Sequence, residues 1–296
     1  MMLKKFAAAA GTFAAITLGA TASFAQSTTI PGEQVGLAVG APLPEGIYAI
    51  DTFIYRRNDT RFSTDTAINV PVLVWSTGFK LFGANVQPLL AQPTVFGFPN
   101  NPGGLPNRDF SVNVGTLVGS IFAWDLGNNF GVSYLFGGYL PIETRFLTQT
   151  ASLSHRFAAS YTGDGLNLTA NLLYGIFLDP VSPQGGVYPD YLNLDLTATR
   201  TFGTWEVGPV AFASTDLPTR FPGYQRQGQI AVGGLIGYNF GPVNLQAYVT
   251  QDVVERRYGG RETRGWLRVI VPIYKESTNA AAPTRPVAGP GRFAGR

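Results

Sequence analysis

The side chains suited to catalysis are few, and their spacing argues against an enzyme. His155 is the only histidine and directly follows Ser154. Consecutive residues of a strand point to opposite faces, so these two cannot act as base and nucleophile. His155 shares its face with Leu153 and Phe157, which indicates an interfacial or lipid-facing position. The chain also has no cysteine, no P-loop, no HExxH sequence and no carboxylate pair spaced for glycoside hydrolysis. We therefore expect no enzyme, no cofactor and no metal site.

Charged side chains within strand-like segments are the better candidates for function. They are Asp51, Asp125, Asp195, Glu206 and Arg268. If these segments cross a membrane, a lipid-facing charge near the midplane costs roughly 2–4 kcal/mol for a base and somewhat less for an acid. Because each lies in the more polar phase of its segment, we expect all of them to face the lumen of a barrel. There they would line a solute path, or form ion pairs that fill and stiffen the interior.

Alternation of side-chain type predicts the strands that would position these charges. From Leu166 to Ile176 the even positions are mostly apolar and the odd ones mostly polar, and residues 130–136, 192–199 and 243–250 alternate in the same way. Charged residues are 13% of the chain, about half the usual share of a soluble domain. Aromatic residues reach 13% and glycines number 36, a composition typical of outer-membrane barrels. No segment approaches the ~18 uninterrupted apolar residues of a membrane-spanning helix.

The spacing of the turns predicts the number of strands. Tight Gly or Asn turns recur roughly every forty residues, the length of two spanning strands and one loop. They fall at 82–83, 127–129, 163–165, 202–203 and 240–241. Longer polar or Pro/Gly-rich connections lie between them, at 57–66, 92–109, 141–147, 179–190, 215–227 and 252–263. Eleven connections predict an all-β, antiparallel up-and-down transmembrane β-barrel of about twelve strands, with tight periplasmic turns and long extracellular loops.

Three further regions are expected outside the barrel, which we assign to residues 45–275. Residues 1–25 read as a secretory signal peptide, with Lys4 and Lys5, an apolar run and a small-x-small cleavage site, so we expect export to the bacterial outer membrane. Its removal lowers the formal charge from +3 to +1, which gives no reason to expect nucleic acid binding. Residues 26–44 are too irregular for a strand, and either plug the lumen or hang in the periplasm. Residues 276–296, rich in Ala, Pro, Gly and Arg, predict a disordered tail.

Arginines concentrate in or beside the predicted loops. They are Arg56, Arg57, Arg61, Arg220, Arg226, Arg256, Arg257, Arg261 and Arg264. One explanation is an electropositive mouth that attracts anionic solutes such as aromatic carboxylates. The other, which we favour, is a solvated rim that binds lipopolysaccharide phosphates, since such contacts would serve any outer-membrane barrel.

Several stretches of the sequence resemble one family of outer-membrane proteins. AWDLGNNF at 123–130, followed by GGYLP at 137–141, is similar to the core of the meta-pathway of phenol degradation family. Further matches are APLPEGIY at 41–48, LDLTATR at 194–200, FGTWEVG at 202–208 and IGYNFG at 236–241. In order and spacing they cover nearly the whole mature chain up to Tyr274. This chain departs from the family by lacking a His near Trp124 and by continuing past the last aromatic strand.

The resemblance implies a function that the residues alone do not. Members of this family are associated with transport in the breakdown of aromatic compounds, and the family assigns no catalytic residues. We therefore expect a channel for passive uptake of small hydrophobic or aromatic solutes, in contact with outer-membrane lipid and lipopolysaccharide. The alternative is a structural or surface-interaction barrel with a filled lumen and no transport. The solute, the pore radius, the gating and the oligomeric state stay open at this point.

Overall fold

The alternating segments form a closed antiparallel sheet in the computed structural model, which describes residues 27–59, 64–99, 109–144, 148–181 and 186–275. Its strands, in chain order, are β1 (Gly46–Asn58), β2 (Thr64–Ser76), β3 (Ala84–Ala91, continued by Thr94–Pro99), β4 (Phe110–Asn113, continued by Leu117–Gly127), β5 (Phe130–Tyr139), β6 (Ser152–Tyr161), β7 (Leu166–Phe177), β8 (Tyr191–Phe202), β9 (Trp205–Asp216), β10 (Gly228–Asn239), β11 (Asn244–Arg256) and β12 (Glu262–Lys275). The predicted all-β barrel of about twelve strands is confirmed. Among the described residues, no helix has the length and hydropathy needed to cross a membrane.

Each strand pairs with its neighbours in sequence, as in an up-and-down meander. The first and last strands close the barrel along their full length, from Gly46 opposite Lys275 to Asn58 opposite Glu262. Closure matters because an open edge would leave unpaired backbone N–H and C=O groups, which a bilayer cannot satisfy.

The side chains alternate between a polar lumen and an apolar exterior. In β7, Leu168 and Leu172 are exposed on the outer face, whereas Thr169 and Asn171 are buried on the inner face. The same division holds in the three other alternating segments predicted from the sequence. Exposed aromatic rings, such as Phe202 and Phe240, lie beside the tight turns. An apolar outer band with aromatic rings at its border is what an outer-membrane barrel requires.

The five predicted tight turns all connect consecutive strands at one end of the barrel. Left-handed backbone angles occur where these turns need them, for example φ of 52° at Asn128 and 64° at Asn129. The longer connections lie at the opposite end, which we take as extracellular from the turn asymmetry.

One predicted loop is partly wrong. Residues 92–109 were expected to be a connection, but Thr94–Pro99 continues β3 and pairs with the first half of β2. The prolines at positions 93 and 99 hid this strand in the sequence, because proline is usually a sign of a loop. The β3 and β4 strands therefore reach further toward the extracellular side than their sequence patterns indicate.

Candidate functional site

The N-terminal segment, which we define as residues 27–44, runs through the lumen of the barrel. At the loop end, the Thr28 hydroxyl lies 2.6 Å from the Tyr191 hydroxyl and 3.2 Å from that of Ser152. Near the turn end, the Gly40 amide donates to Ser160 at 2.9 Å. The segment therefore spans the lumen from the extracellular end to the periplasmic end before β1 begins.

Local sequence explains why this segment turns instead of joining the sheet. Successive tight turns are closed by backbone bonds from Glu33 to Ile30 (3.1 Å) and from Val35 to Gly32 (3.4 Å). Gly32 has a φ of 88° and Gly36 a φ of 84°, conformations that other residues rarely adopt. A Cβ at Gly32 would lie 2.5 Å from the ring of Phe212, so the backbone packs directly against that ring.

Arg268 of β12 is one of the wall side chains that bind the segment. It is fully buried, and its guanidinium donates to the backbone oxygens of Val35, at 2.5 Å, and of Glu33. Its other donors reach side chains of the wall, namely Thr52 at 3.0 Å, Gln246 at 3.1 Å and Tyr248 at 3.0 Å. A guanidinium has five N–H groups, so all of them have an acceptor.

Asp195 of β8 binds the same turn with the opposite polarity. Its two carboxylate oxygens accept the backbone N–H groups of Gly32 at 2.8 Å and of Gln34 at 3.0 Å. The carboxylate thus accepts hydrogen bonds from free N–H groups of the turn, while the guanidinium of Arg268 donates to free carbonyl oxygens of the same turn. Charged hydrogen bonds of this kind are about twice as strong as neutral ones.

An apolar cluster completes the contact with the segment. Val35 is fully buried among Phe212, Leu235, Tyr248 and Trp266 of the wall. The rings of Tyr248 and Trp266 stack with centroids 4.9 Å apart. The centre of the lumen therefore combines an aromatic wall with the buried charges of Arg268 and Asp195, and the segment, which adds the buried Glu33, fills it.

A separate charged layer lies above this site, toward the loops. Arg264 bonds Asp252 at 2.7 Å, Glu262 at 2.8 Å and Gln229 at 2.6 Å. Arg56 donates to Thr66 at 2.9 Å, and its guanidinium lies 3.9 Å from the Glu262 carboxylate. All of these partners belong to barrel strands, so this layer connects strands at the extracellular mouth. Arg264 also lies over the ring of Phe212, 5.1 Å from its centroid, and the layer reaches the segment through that ring.

Two tyrosines of the extracellular connections, Tyr224 and Tyr258, lie at the mouth of the barrel. Tyr224 donates a 2.5 Å hydrogen bond to Asp216 at the end of β9. Burial raises the pKa of Tyr258, in the connection between β11 and β12, to about 12. Burial, and the hydrogen bond to Asp216, also raise the pKa of Tyr224, so both phenols are neutral hydrogen-bonding groups.

The charged residues singled out in the sequence lie in three different places. Asp195, Glu206 and Arg268 face the lumen, where Glu206 accepts bonds from Thr199 at 2.5 Å and Gln246 at 2.9 Å. Asp125 has the inward phase but lies exposed at the turn, where it accepts the Gly127 amide at 2.9 Å.

The expected orientation of Asp51 is wrong. It lies exposed on the outer face of β1 with Phe53 and Tyr55, and its carboxylate is hydrogen-bonded by Asn69. The even and odd positions of β1 are similarly apolar, so the alternation of polar and apolar residues does not show which side chains face the lumen. The pairing of β1 with β2 and β12 sets the orientation instead.

The predicted basic cluster is divided by the structure. Arg56 is buried in the lumen, as is Arg264. The exposed members are Arg57, Arg220, Arg226, Arg256, Arg257 and Arg261. Arg61 lies outside the described residues. The mouth therefore combines paired arginines inside the barrel with solvated ones around it.

Sequence reasoning missed Arg156 of β6, which is buried in the lumen and donates toward Thr29 and Tyr139, each at 3.4 Å. An arginine that faces lipid is as costly here as at Arg268, so the sequence could have predicted that Arg156 faces the lumen.

The expectation for His155 is confirmed: it lies on the outer face, its Nδ1 2.7 Å from the Tyr134 hydroxyl, while Ser154 points inward and is buried.

Comparison with known proteins agrees with this architecture. Residues 22–269 match the model of the family described as "Putative MetA-pathway of phenol degradation". Among curated proteins, none matches the chain in sequence. The chain is similar to the solved COG4313 outer membrane channel from Pseudomonas putida F1, at 13% identity and a TM-score of 0.64, over 82% of this chain and 99% of that one.

Two other solved barrels are more distant. The transport unit of the autotransporter AIDA-I from Escherichia coli aligns at 11% identity and a TM-score of 0.47, over 86% of this chain and 97% of that one. The CymD monoaromatic hydrocarbon channel aligns at 8% identity and a TM-score of 0.46, over 83% of this chain and 94% of that one.

Proposed function

This chain belongs to the "Putative MetA-pathway of phenol degradation" family, and on that basis we propose that it is an outer-membrane channel for passive uptake of small hydrophobic or aromatic compounds. The family description links it to the breakdown of phenol, and the COG4313 barrel that it resembles is described as an outer membrane channel. The proposal includes no chemical step and no energy coupling.

One observation carries the proposal: the lumen is filled by a segment that is not part of the wall. The strand β1 begins at Gly46, and the ladder closes between β1 and β12 without residues 27–44. The segment is held by side-chain hydrogen bonds, such as those of Arg268 and Asp195, and by apolar contacts. It can therefore leave the lumen without breaking the barrel, and its departure would open a path.

The character of the lumen supports neutral solutes over ions. Buried arginines and buried carboxylates both line it, and Arg264 is directly paired with Asp252 and Glu262. Such balanced charge concentrates neither anions nor cations. The aromatic wall of Phe212, with the Tyr248–Trp266 stack, suits an aromatic body.

We also propose a role for the exposed arginines. Arg57, Arg256, Arg257 and Arg261 lie around the mouth on solvated positions, where their guanidinium groups would contact lipopolysaccharide phosphates. The lumenal charges Asp195, Glu206 and Arg268 would then belong to the solute path or to the contacts that close it, and the buried Arg56 to the charged layer at the mouth.

The alternative function, a structural barrel without transport, rests on the same filled lumen. A deletion of residues 27–43 separates the two functions, since it removes all of the segment except Pro44, whose backbone oxygen accepts a hydrogen bond from Tyr48 of β1, and leaves β1 intact. The channel proposal predicts small, infrequent conductance steps for the full-length mature protein in planar bilayers and large, persistent steps for the deletion variant.

Uptake measurements complete the test. Porin-deficient cells that express the full-length chain should take up a labelled aromatic compound faster than cells that express an unrelated barrel. Heat-dependent migration on gels checks that each barrel is folded. Folded protein with neither conductance nor uptake, with and without the segment, would establish the structural barrel instead.

A further inference from the structure

The groups of the lumen that bind the turn of the N-terminal segment indicate which kind of solute could bind in its place. We propose that residues 30–36 occupy the binding site of the transported solute, and that this site prefers small aromatic molecules that carry both a hydrogen-bond acceptor and a donor. This inference rests on the proposed channel function and names its substrate class. It predicts selection for oxygenated aromatic compounds over plain hydrocarbons.

The apolar half of the site is shaped for a flat ring. Gly32 packs so closely on the Phe212 ring that no side chain fits between them. Val35 is fully buried in the hydrophobic cluster that also contains Tyr248 and Trp266. The backbone at Gly32 thus lies on one aromatic ring and the Val35 side chain lies in the same aromatic cluster, and the seven residues of the turn fill more volume than a single benzene ring.

The polar half of the site determines which aromatic compounds fit. Arg268 donates to two carbonyl oxygens of the turn, and Asp195 accepts two of its N–H groups. Gln246 donates to the Gly36 oxygen at 3.0 Å, and Tyr248 donates to the Gly32 oxygen at 3.3 Å. All four side chains are buried, and each of them loses its hydrogen bonds to the turn when the segment leaves.

The preference for polar aromatic solutes over hydrocarbons depends on the buried groups that each solute leaves without a hydrogen-bond partner. A solute with a carbonyl or hydroxyl oxygen facing Arg268 and an N–H or O–H facing Asp195 replaces the bonds of the turn. A hydrocarbon of the same size cannot replace them, and leaves a buried guanidinium and a buried carboxylate without those partners. Sites built to bond a polar group reject analogues that lack it by about 10⁴-fold or more when closed to water. Because water can enter an open barrel, we expect a smaller preference, of about tenfold or more.

Binding can be measured on the full-length mature protein in detergent, by calorimetry and by tryptophan fluorescence. The probes are 4-hydroxybenzamide, which has both donor and acceptor, and p-xylene, which has neither. We expect 4-hydroxybenzamide to bind at least tenfold more tightly than p-xylene. Arg268→Met and Asp195→Asn are made in the variant that lacks residues 27–43, so that undocking of the segment does not alter access to the site. Each should remove most of that preference while p-xylene binding changes little.

Arg264→Met in the same background is the matched control. The hydrogen bonds of this buried arginine go to Asp252 and Gln229 of the wall. Its guanidinium also lies 5.1 Å from the Phe212 ring centroid, but it gives no hydrogen bond to the turn among the described residues, so this variant should keep the preference.

Competition with the segment is a second readout. The chain has no cysteine, so Ser27→Cys gives a single labelling site for a spin label on the segment. Addition of 4-hydroxybenzamide should increase the mobility of the label, and deletion of residues 27–43 should tighten binding of the same compound. Equal affinity for the two probes, or a preference that survives Arg268→Met in the folded deletion variant, would overturn the inference.

The outcomes separate this inference from the channel function. A deletion variant that conducts but binds both probes equally contradicts the substrate class and leaves the channel. A protein that prefers 4-hydroxybenzamide but neither conducts nor supports uptake contradicts the channel and leaves a binding site.

Discussion

Replacement of Arg268 by methionine should open the lumen. Methionine keeps most of the length of the side chain but removes the charge and all five donors. Two of those donors bind backbone oxygens of Glu33 and Val35, which are the direct bonds from this arginine to the N-terminal segment. The other donors reach the wall, so their loss affects the barrel rather than the docking of the segment.

The size of the effect follows from the two bonds to the segment. Each hydrogen bond from a charged group contributes about 1.5–3 kcal/mol. Since water can enter the lumen and solvate the freed carbonyls, we take the lower value for each, which makes docking weaker by about 3 kcal/mol. Every 1.4 kcal/mol changes an equilibrium about tenfold, so the ratio of undocked to docked segment should rise about 100-fold.

Single-channel recording of the full-length protein in planar bilayers measures this ratio as the fraction of time spent in the large conductance state. Arg264→Met removes a similarly buried lumenal arginine whose polar bonds go to Asp252, Glu262 and Gln229. Its contact with the segment is indirect, through the Phe212 ring 5.1 Å away, so the open fraction should stay near that of the wild type. An Arg268→Met channel that is as closed as the wild type would refute the reasoning, as would equal opening by both variants.

Three further changes test other parts of the structure. Gly32→Ala should raise the open fraction about tenfold or more, because its Cβ would meet Phe212 and a left-handed φ costs about 1–3 kcal/mol; Gly234→Ala, with open space at its Cβ, should not. Asp51→Val should leave the free energy of unfolding in lipid unchanged or raise it by about 1–2 kcal/mol, and a clear loss in urea titrations would show that this carboxylate does not face lipid. His155→Phe should leave solute uptake unchanged, because the imidazole lies on the outer face; abolished uptake by folded protein would contradict that placement.

The barrel itself could be predicted because its signals are local. Alternation with a period of two is a property of a few neighbouring residues, as in β7. The tight turns are also local, since Asn128 and Asn129 tolerate the left-handed angles that a two-residue turn needs. Counting these turns together with the six longer connections gave eleven connections and hence twelve strands, and the cost of a lipid-facing base predicted that Arg268 faces inward.

The same local rules were insufficient for Asp51 and for residues 94–99. In β1 both phases carry apolar and polar residues, so no local pattern distinguishes the faces, and only pairing with β2 and β12 does. Prolines beside residues 94–99 predicted a loop, but the neighbouring strand β2 supplies the backbone partners that keep this stretch extended. In both places a partner distant in sequence determines the conformation.

The N-terminal segment is the clearest case in which local sequence rules do not give the structure. From sequence alone it was irregular, because it is rich in Gly and Pro, and both the lumen and the periplasm were open to it. Its position is decided by Asp195, 163 residues from Gly32, and by Arg268, 233 residues from Val35. The sequence by itself determined that there is a barrel with charges inside it. Only the closed tertiary structure decided what those charges bind, because bonds between residues so far apart exist only after the ring of strands has formed.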